Sequence, residues 1–260
     1  MKSMIRAIIA GSCIITLGII ILLIALGLNG WTLKAHFSRE EFNAEQENNK
    51  IIVDKSVGSM KINYYEGDKV QIFYPEAKNY KVSVSEKDGT VRVSNPGPKW
   101  YEFSIWWSDI PETVINLPMG TEFELDLTVN AGSLKLYEGQ YSKVSLTVNA
   151  GTLNATGVKC ETFSATVNAG SMQINSLECT SSFDGEVNAG SLNAKNVISP
   201  KITADVSAGS LNMSIIGKKE EYNIKVHVSA GSSNLQSQNV VSDKSLTAEV
   251  SAGSLNITFI

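Results

Sequence analysis

Apolar and polar residues alternate with a period of two through the second half of the chain, and one short motif interrupts the alternation at regular intervals. The motif first reads Val129-Asn130-Ala131-Gly132-Ser133-Leu134. It returns at Val148, Val167, Val187, Val206, Val228 and Val250, at spacings of 19, 19, 20, 19, 22 and 22 residues. Before it stand pairs such as Leu125/Leu127, Val144/Leu146 and Ile202/Ala204, and after it Leu134/Leu136, Met172/Ile174 and Leu255/Ile257. Such alternation predicts strands with one buried face, so each copy reads as strand, glycine turn, strand. A unit of ~20 residues cannot bury an apolar face alone and must stack on its neighbours. The predicted fold is all-β: a single-stranded β-helix (β-solenoid) with 19–22-residue coils over residues 51–260, its clear repeats at 122–260. Seven coils at ~4.8 Å would make a rod of roughly 34 Å.

Stacking explains most of the motif. Its glycine suits either a positive φ or a place where a side chain would strike the next coil. Asn130, Asn149, Asn168 and Asn188, followed by Ser207, Ser229 and Ser251, form one polar column. Asn154, Asn193, Asn212, Asn234 and Asn256 form a second, with Lys135 and Gln173 in it. Stacked amides of this kind bond to one another along the axis or cap turns. The glycosylation sequons at Asn154, Asn212 and Asn256 read as by-products of the repeat. Cys160 and Cys179 each fall twelve residues after a motif Val, hence one above the other at a Cα separation of ~5 Å, inside the disulfide window. A disulfide and a stacked pair of buried thiols both fit. Val57-Gly58-Ser59-Met60 and Asp88-Gly89-Thr90-Val91 are degenerate relatives that would start the solenoid near residue 50.

Upstream the pattern changes. No charged residue occurs from Ala7 to Leu33, which predicts a transmembrane helix at 7–28, between a leader at 1–6 and a polar linker at 29–50 containing Glu40, Glu41, Glu45 and Glu47. Cleavage at Ala25-Leu26-Gly27, and lipid modification at Cys13, are the competing readings of this stretch. Lys2 and Arg6 orient the amino terminus to the cytoplasm, giving a single-pass membrane protein with an extracytoplasmic C-terminal domain. Of the 22 basic residues, 20 then lie outside with all 26 acidic ones, a net of −6. That charge excludes nucleic acid as the expected partner.

Candidate chemistry is sparse. His36 and His227 lack evident partners, and the turns carry no Asp of the kind a calcium-binding solenoid needs, so no catalytic residue, metal or cofactor is expected. The outward column Glu186, Asp205, Glu249 reads as a sparse charged face rather than an acid–base dyad. One segment, 96–111, breaks the pattern with Trp100, Tyr101, Phe103, Trp106 and Trp107. It suits contact with a ligand or partner through Trp100, Tyr101, Trp106 and Trp107, or a cap over the end of the stack. The chain stops at Ile260 with Leu255, Ile257 and Phe259 in strand register, which predicts an uncovered last coil and self-association through it.

Val114-Ile115-Asn116-Leu117-Pro118-Met119-Gly120-Thr121, followed by recurrent Ala-Gly-Ser-Leu, resembles the adhesin-type β-strand-repeat family of Gram-positive bacteria, a group of unknown function, over roughly residues 50–260. The resemblance implies a β-helix at the cell surface and brings no catalytic residues. The function it implies is a membrane-anchored, adhesin-like scaffold that binds a protein or cell-envelope component. Some relatives resemble envelope-stress components, so a sensory or regulatory protein binding a membrane partner or an antimicrobial ligand is the alternative.

Overall fold

The computed structural model describes residues 15–24, 27, 35–95, 97 and 109–260. Its body is a β-solenoid in which each coil has a first arm ending at the motif Val and a second arm beginning just after the motif Gly. The middle of the stack follows chain order. Strand β7 (Phe123–Leu136) is followed by β8 (Gly139–Val148), β9 (Thr152–Val167), β10 (Ser171–Val187), β11 (Ser191–Ile198), β12 (Lys201–Val206) and β13 (Ser210–Ile215). All pair in parallel, with Val129, Val148 and Val167 in one register column and Leu134, Leu153 and Met172 in another. These columns are fully buried, so the period-two pattern has become a continuous core.

Both ends depart from chain order. At the C-terminal end β14 (Tyr222–Val228) and β15 (Ser232–Ser233) form the outermost coil, while β16 (Lys244–Val250) and β17 (Ser254–Phe259) slide between it and β12/β13. The N-terminal end mirrors this. Strand β2 (Lys50–Tyr65) lies between β7 and an outer coil made of β5 (Thr90–Asn95) and β6 (Thr113–Pro118). The expected open coil at Ile260 is therefore corrected: β17 is not the outermost strand, pairing with β13 along its whole length and with β15 at Ser254 and Leu255. Burial decides the order. The Val228 copy carries Ser233 where the Val250 copy carries Leu255, and Leu255 is 2% exposed while Val228 is 38% exposed. The copy with the complete apolar set takes the inner place.

The outer coil's free edge is also covered. Gln238 exchanges two backbone hydrogen bonds with Ile224, and its Nε2 donates to the carbonyls of Lys219 and Tyr222. Ser237 Oγ accepts from the Val226 N–H. Asn234 stands in for missing strand on the second arm: its amide donates to the Ile257 carbonyl at 2.8 Å and accepts the Ile257 N–H at 2.9 Å. At the other end β3 (Gln71–Glu76) adds antiparallel to β6, β1 (Ser38–Asn43) adds antiparallel to β3, and β4 (Ser83–Lys87) adds antiparallel to β5. Strand β1 falls within the stretch expected to be linker. Asp88 and Gly89, with φ of 50° and 72°, make the tight β4–β5 turn, so this pair is a hairpin and not a copy of the motif. Val57-Gly58-Ser59-Met60 is a copy, in register with Ala131-Gly132-Ser133-Leu134.

The motif glycines from Gly132 to Gly253 have no positive φ; close approach is what requires them. A Cβ on Gly170 would fall on the Gly151 carbonyl oxygen and the Val148 methyl one coil away, and the same clash recurs at Gly151, Gly190 and Gly209. Positive φ occurs instead at a second bend, where Gly157, Ser176 and Asn196 stack with φ of 67°, 61° and 56°. On the outer face the asparagine column is a hydrogen-bonded ladder. Asn188 donates to Asn168, Asn168 to Asn149, Asn149 to Asn130 and Asn130 to Asp54, at 2.6–2.9 Å.

Upstream, Ile15–Ile24 is helical, and its large apolar side chains from Ile15 to Ile24 are 47–66% exposed. Among the described residues no helix is long and apolar enough to cross a membrane. Much of the expected span at 7–28 lies outside them.

Candidate functional site

The candidate positions cluster at the two ends of the stack and at one point in its middle. At the N-terminal end, the outermost coil replaces the compact Asn-Ala-Gly corner with residues 96–112, which join β5 to β6. Trp100, Tyr101, Trp106 and Trp107 belong to this insertion and lie outside the described residues. The core behind the corner is polar. Lys55 occupies the column that is Val in every motif copy, with Val129 as its neighbour on one side and Asn95 on the other. It is 2% exposed, and Nζ donates to the Thr113 hydroxyl at 3.2 Å and the Tyr80 hydroxyl at 3.4 Å. Burial pushes the Lys55 pKa down to about 8 and that of Tyr80 up to about 12. The Tyr80 hydroxyl donates to the Val57 carbonyl at 3.0 Å, and the Asn95 amide donates to the Lys81 carbonyl at 2.8 Å. The break in the Val column at Lys55 was the sequence signal for this cluster.

Where the chain steps from β6 past β2 to β7, a cleft of about 410 Å3 is lined by Tyr64, Met119, Glu122, Glu138, Gln140 and Lys159, among others. The Tyr64 hydroxyl reaches the Gln140 carbonyl at 2.6 Å, and Gln140 Nε2 donates to Glu122 at 2.7 Å. Burial, and then the Glu122 carboxylate, push the Tyr64 pKa upward. Lys159 pairs with Glu178 at 3.0 Å.

The swapped end coils change the carboxylate column. Glu186 pairs with Asp205, Asp205 with Glu249, and Glu249 with His227, so three acids and the histidine stand on successive coils. Sequence order had placed His227 between Asp205 and Glu249. Burial, and then Glu186, hold the Asp184 carboxyl above its usual range. Burial, then Glu249, Asp184 and Glu186, do the same for Asp205. None of these residues is among those lining the cleft, and no group of three or more candidate metal ligands occurs among the described residues.

In the middle of the stack Cys160 and Cys179 are direct register partners, both buried and both free thiols, with Sγ atoms 3.8 Å apart. The Cys160 hydrogen bond, followed by burial, pushes the Cys179 pKa up.

A protein-family model described as Toastrack DUF4097 matches residues 48–259. Among solved structures, the chain is similar to a candidate cell adhesion protein from Clostridium sporogenes, at 19% identity and a TM-score of 0.39, over 86% of this chain and 100% of that one. It is similar to a candidate adhesin from Bacteroides fragilis at 13% identity and a TM-score of 0.43, over 86% and 97%. A candidate adhesin from Parabacteroides distasonis matches at 12% identity and a TM-score of 0.34, over 87% and 98%. A search of curated proteins gives no match.

Proposed function

Since the chain belongs to the Toastrack DUF4097 family, we propose that it is a membrane-anchored, non-catalytic surface scaffold that binds a protein or cell-envelope component through the corner insertion of its N-terminal coil. The observation that carries this reading is the division of labour among residues. The repeat's Gly, Val and Asn are consumed by stacking, and strands β1, β3 and β4 already cover the N-terminal coil. The tryptophans at 100, 106 and 107 are then not needed to shield that coil, which favours contact over capping. Anchoring is supported by the helical Ile15–Ile24, whose large apolar side chains are 47–66% exposed. Lys2 and Arg6, basic residues ahead of the apolar stretch, support a cytoplasmic leader.

The test pairs a biochemical arm with a genetic one. Trp106→Ala and Trp107→Ala are expected to reduce binding to cells or wall material while the melting temperature stays within a degree or two of the parent. A drop in stability of several degrees would instead assign the tryptophans to the cap. Deleting the gene is expected to lower adhesion. Unchanged adhesion with altered sensitivity to envelope-directed antibiotics would make the protein a sensor.

A further inference from the structure

We propose that Cys160 and Cys179 are a folding-gated redox site: they are joined by a thiol–disulfide oxidant while the coils assemble and are sealed from it afterwards. The pairing follows from register. The residues are direct partners on adjacent parallel strands, both side chains point into the core, and the two sulfurs are already in contact at 3.8 Å. Bond formation has only to bring them to ~2.05 Å. The strand pairing itself shifts between Cys179 and Ser182, directly beside the pair, so the backbone there is not locked into an unbroken ladder.

The gating follows from burial. Cys160 is 5% exposed and Cys179 2%, and Tyr141, itself buried, covers Cys160 from the next coil. Exchange requires a thiolate to reach an oxidant's sulfur. In the finished solenoid neither sulfur has that access, and burial together with the Cys160–Cys179 contact keeps the Cys179 thiol protonated. Before coil packing, the two cysteines are only 19 residues apart and open to solvent. The reaction balances with oxidised glutathione as the oxidant. One thiolate attacks the glutathione disulfide and expels one glutathione thiol. The second protein thiolate then displaces the other glutathione, leaving a protein disulfide, two reduced glutathiones and no net change in protons.

The experiment uses the full chain in detergent, with peptide-resolved alkylation so that Cys13 is counted separately. Refolding from denaturant in a mixture of oxidised and reduced glutathione is expected to give a Cys160–Cys179 disulfide, a mass lower by two hydrogens, and no alkylation at either residue. The same mixture added to protein folded in reductant is expected to leave both thiols free, oxidising at least 100-fold more slowly than unfolded chain. Refolded protein with both thiols still alkylatable would overturn the staple. Folded, reduced protein that oxidises as fast as the unfolded chain would overturn the gating. Both outcomes are independent of what the surface binds.

Discussion

Lys55→Met should stabilise the protein at neutral pH and lose that advantage in alkali. An unfolded lysine titrates near 10.5, and burial in the N-terminal coil brings Lys55 down to about 8. Below pH 8 the amine is protonated in both states, so the folded state carries the whole cost of a buried charge. Between pH 8 and 10.5 the folded amine is neutral while the unfolded one still holds its proton. The folded state then binds fewer protons, and stability rises with pH across this window. The gap between about 10.5 and about 8, at roughly 1.4 kcal/mol per pH unit, corresponds to about 3 kcal/mol. Methionine has a similar unbranched reach and sits among apolar neighbours such as Val129. It removes the donors to Thr113 and Tyr80, each bond contributing roughly 1 kcal/mol. The Tyr80 hydroxyl keeps the Val57 carbonyl. The net gain at pH 7 is about 1–2 kcal/mol, or roughly 3–6 °C in Tm for a chain of this size. The assay is the Tm difference between variant and parent from pH 7 to 10.5. It should shrink above pH 8, change sign at about pH 9–9.5, and favour the parent by about 1–2 kcal/mol at the top of the range. A difference that stays constant with pH, or a variant less stable than the parent at pH 7, would refute the reasoning.

Gly170→Ala places a methyl against the Gly151 carbonyl and the Val148 side chain, and should cost about 3 kcal/mol by thermal or urea unfolding; a neutral result would mean the coils can separate locally. Asn149→Ala removes two rungs of the half-buried amide ladder, to Asn130 and from Asn168, and should cost about 1–2 kcal/mol without changing the far-UV spectrum. Asp184 and Asp205 are held above the usual carboxyl range, so the folded state binds extra protons and stability falls as pH rises through that range. Glu249→Gln removes one of the like charges facing Asp205. It should raise stability at pH 7 by roughly half a kcal/mol and flatten the change between pH 4 and 7. An unaltered slope would show that the carboxylates do not couple.

Local patterning along the chain dictated the repeat unit. Period-two alternation requires one buried face, a 20-residue unit cannot bury it alone, and stacking then aligns like with like. That is why the core columns, the Asn130–Asn188 ladder and the Cys160–Cys179 contact were legible from spacing. What spacing could not supply was the order of the end coils or which of the two reasons for glycine, positive φ or close approach, holds at the corner. Order depends on which copy has the better apolar set for an inner place, a comparison between Ser233 and Leu255 that matters only once coils compete for neighbours. The glycine requirement comes from the distance between backbones of adjacent coils, which no single copy encodes. The same rearrangement brought His227 beside Glu249 and set the last strand between β13 and the β14–β15 coil. A repeating chain fixes its local unit through near-neighbour patterning, whereas the ends of the stack are settled by long-range burial, and only the folded molecule decides which surfaces that leaves free.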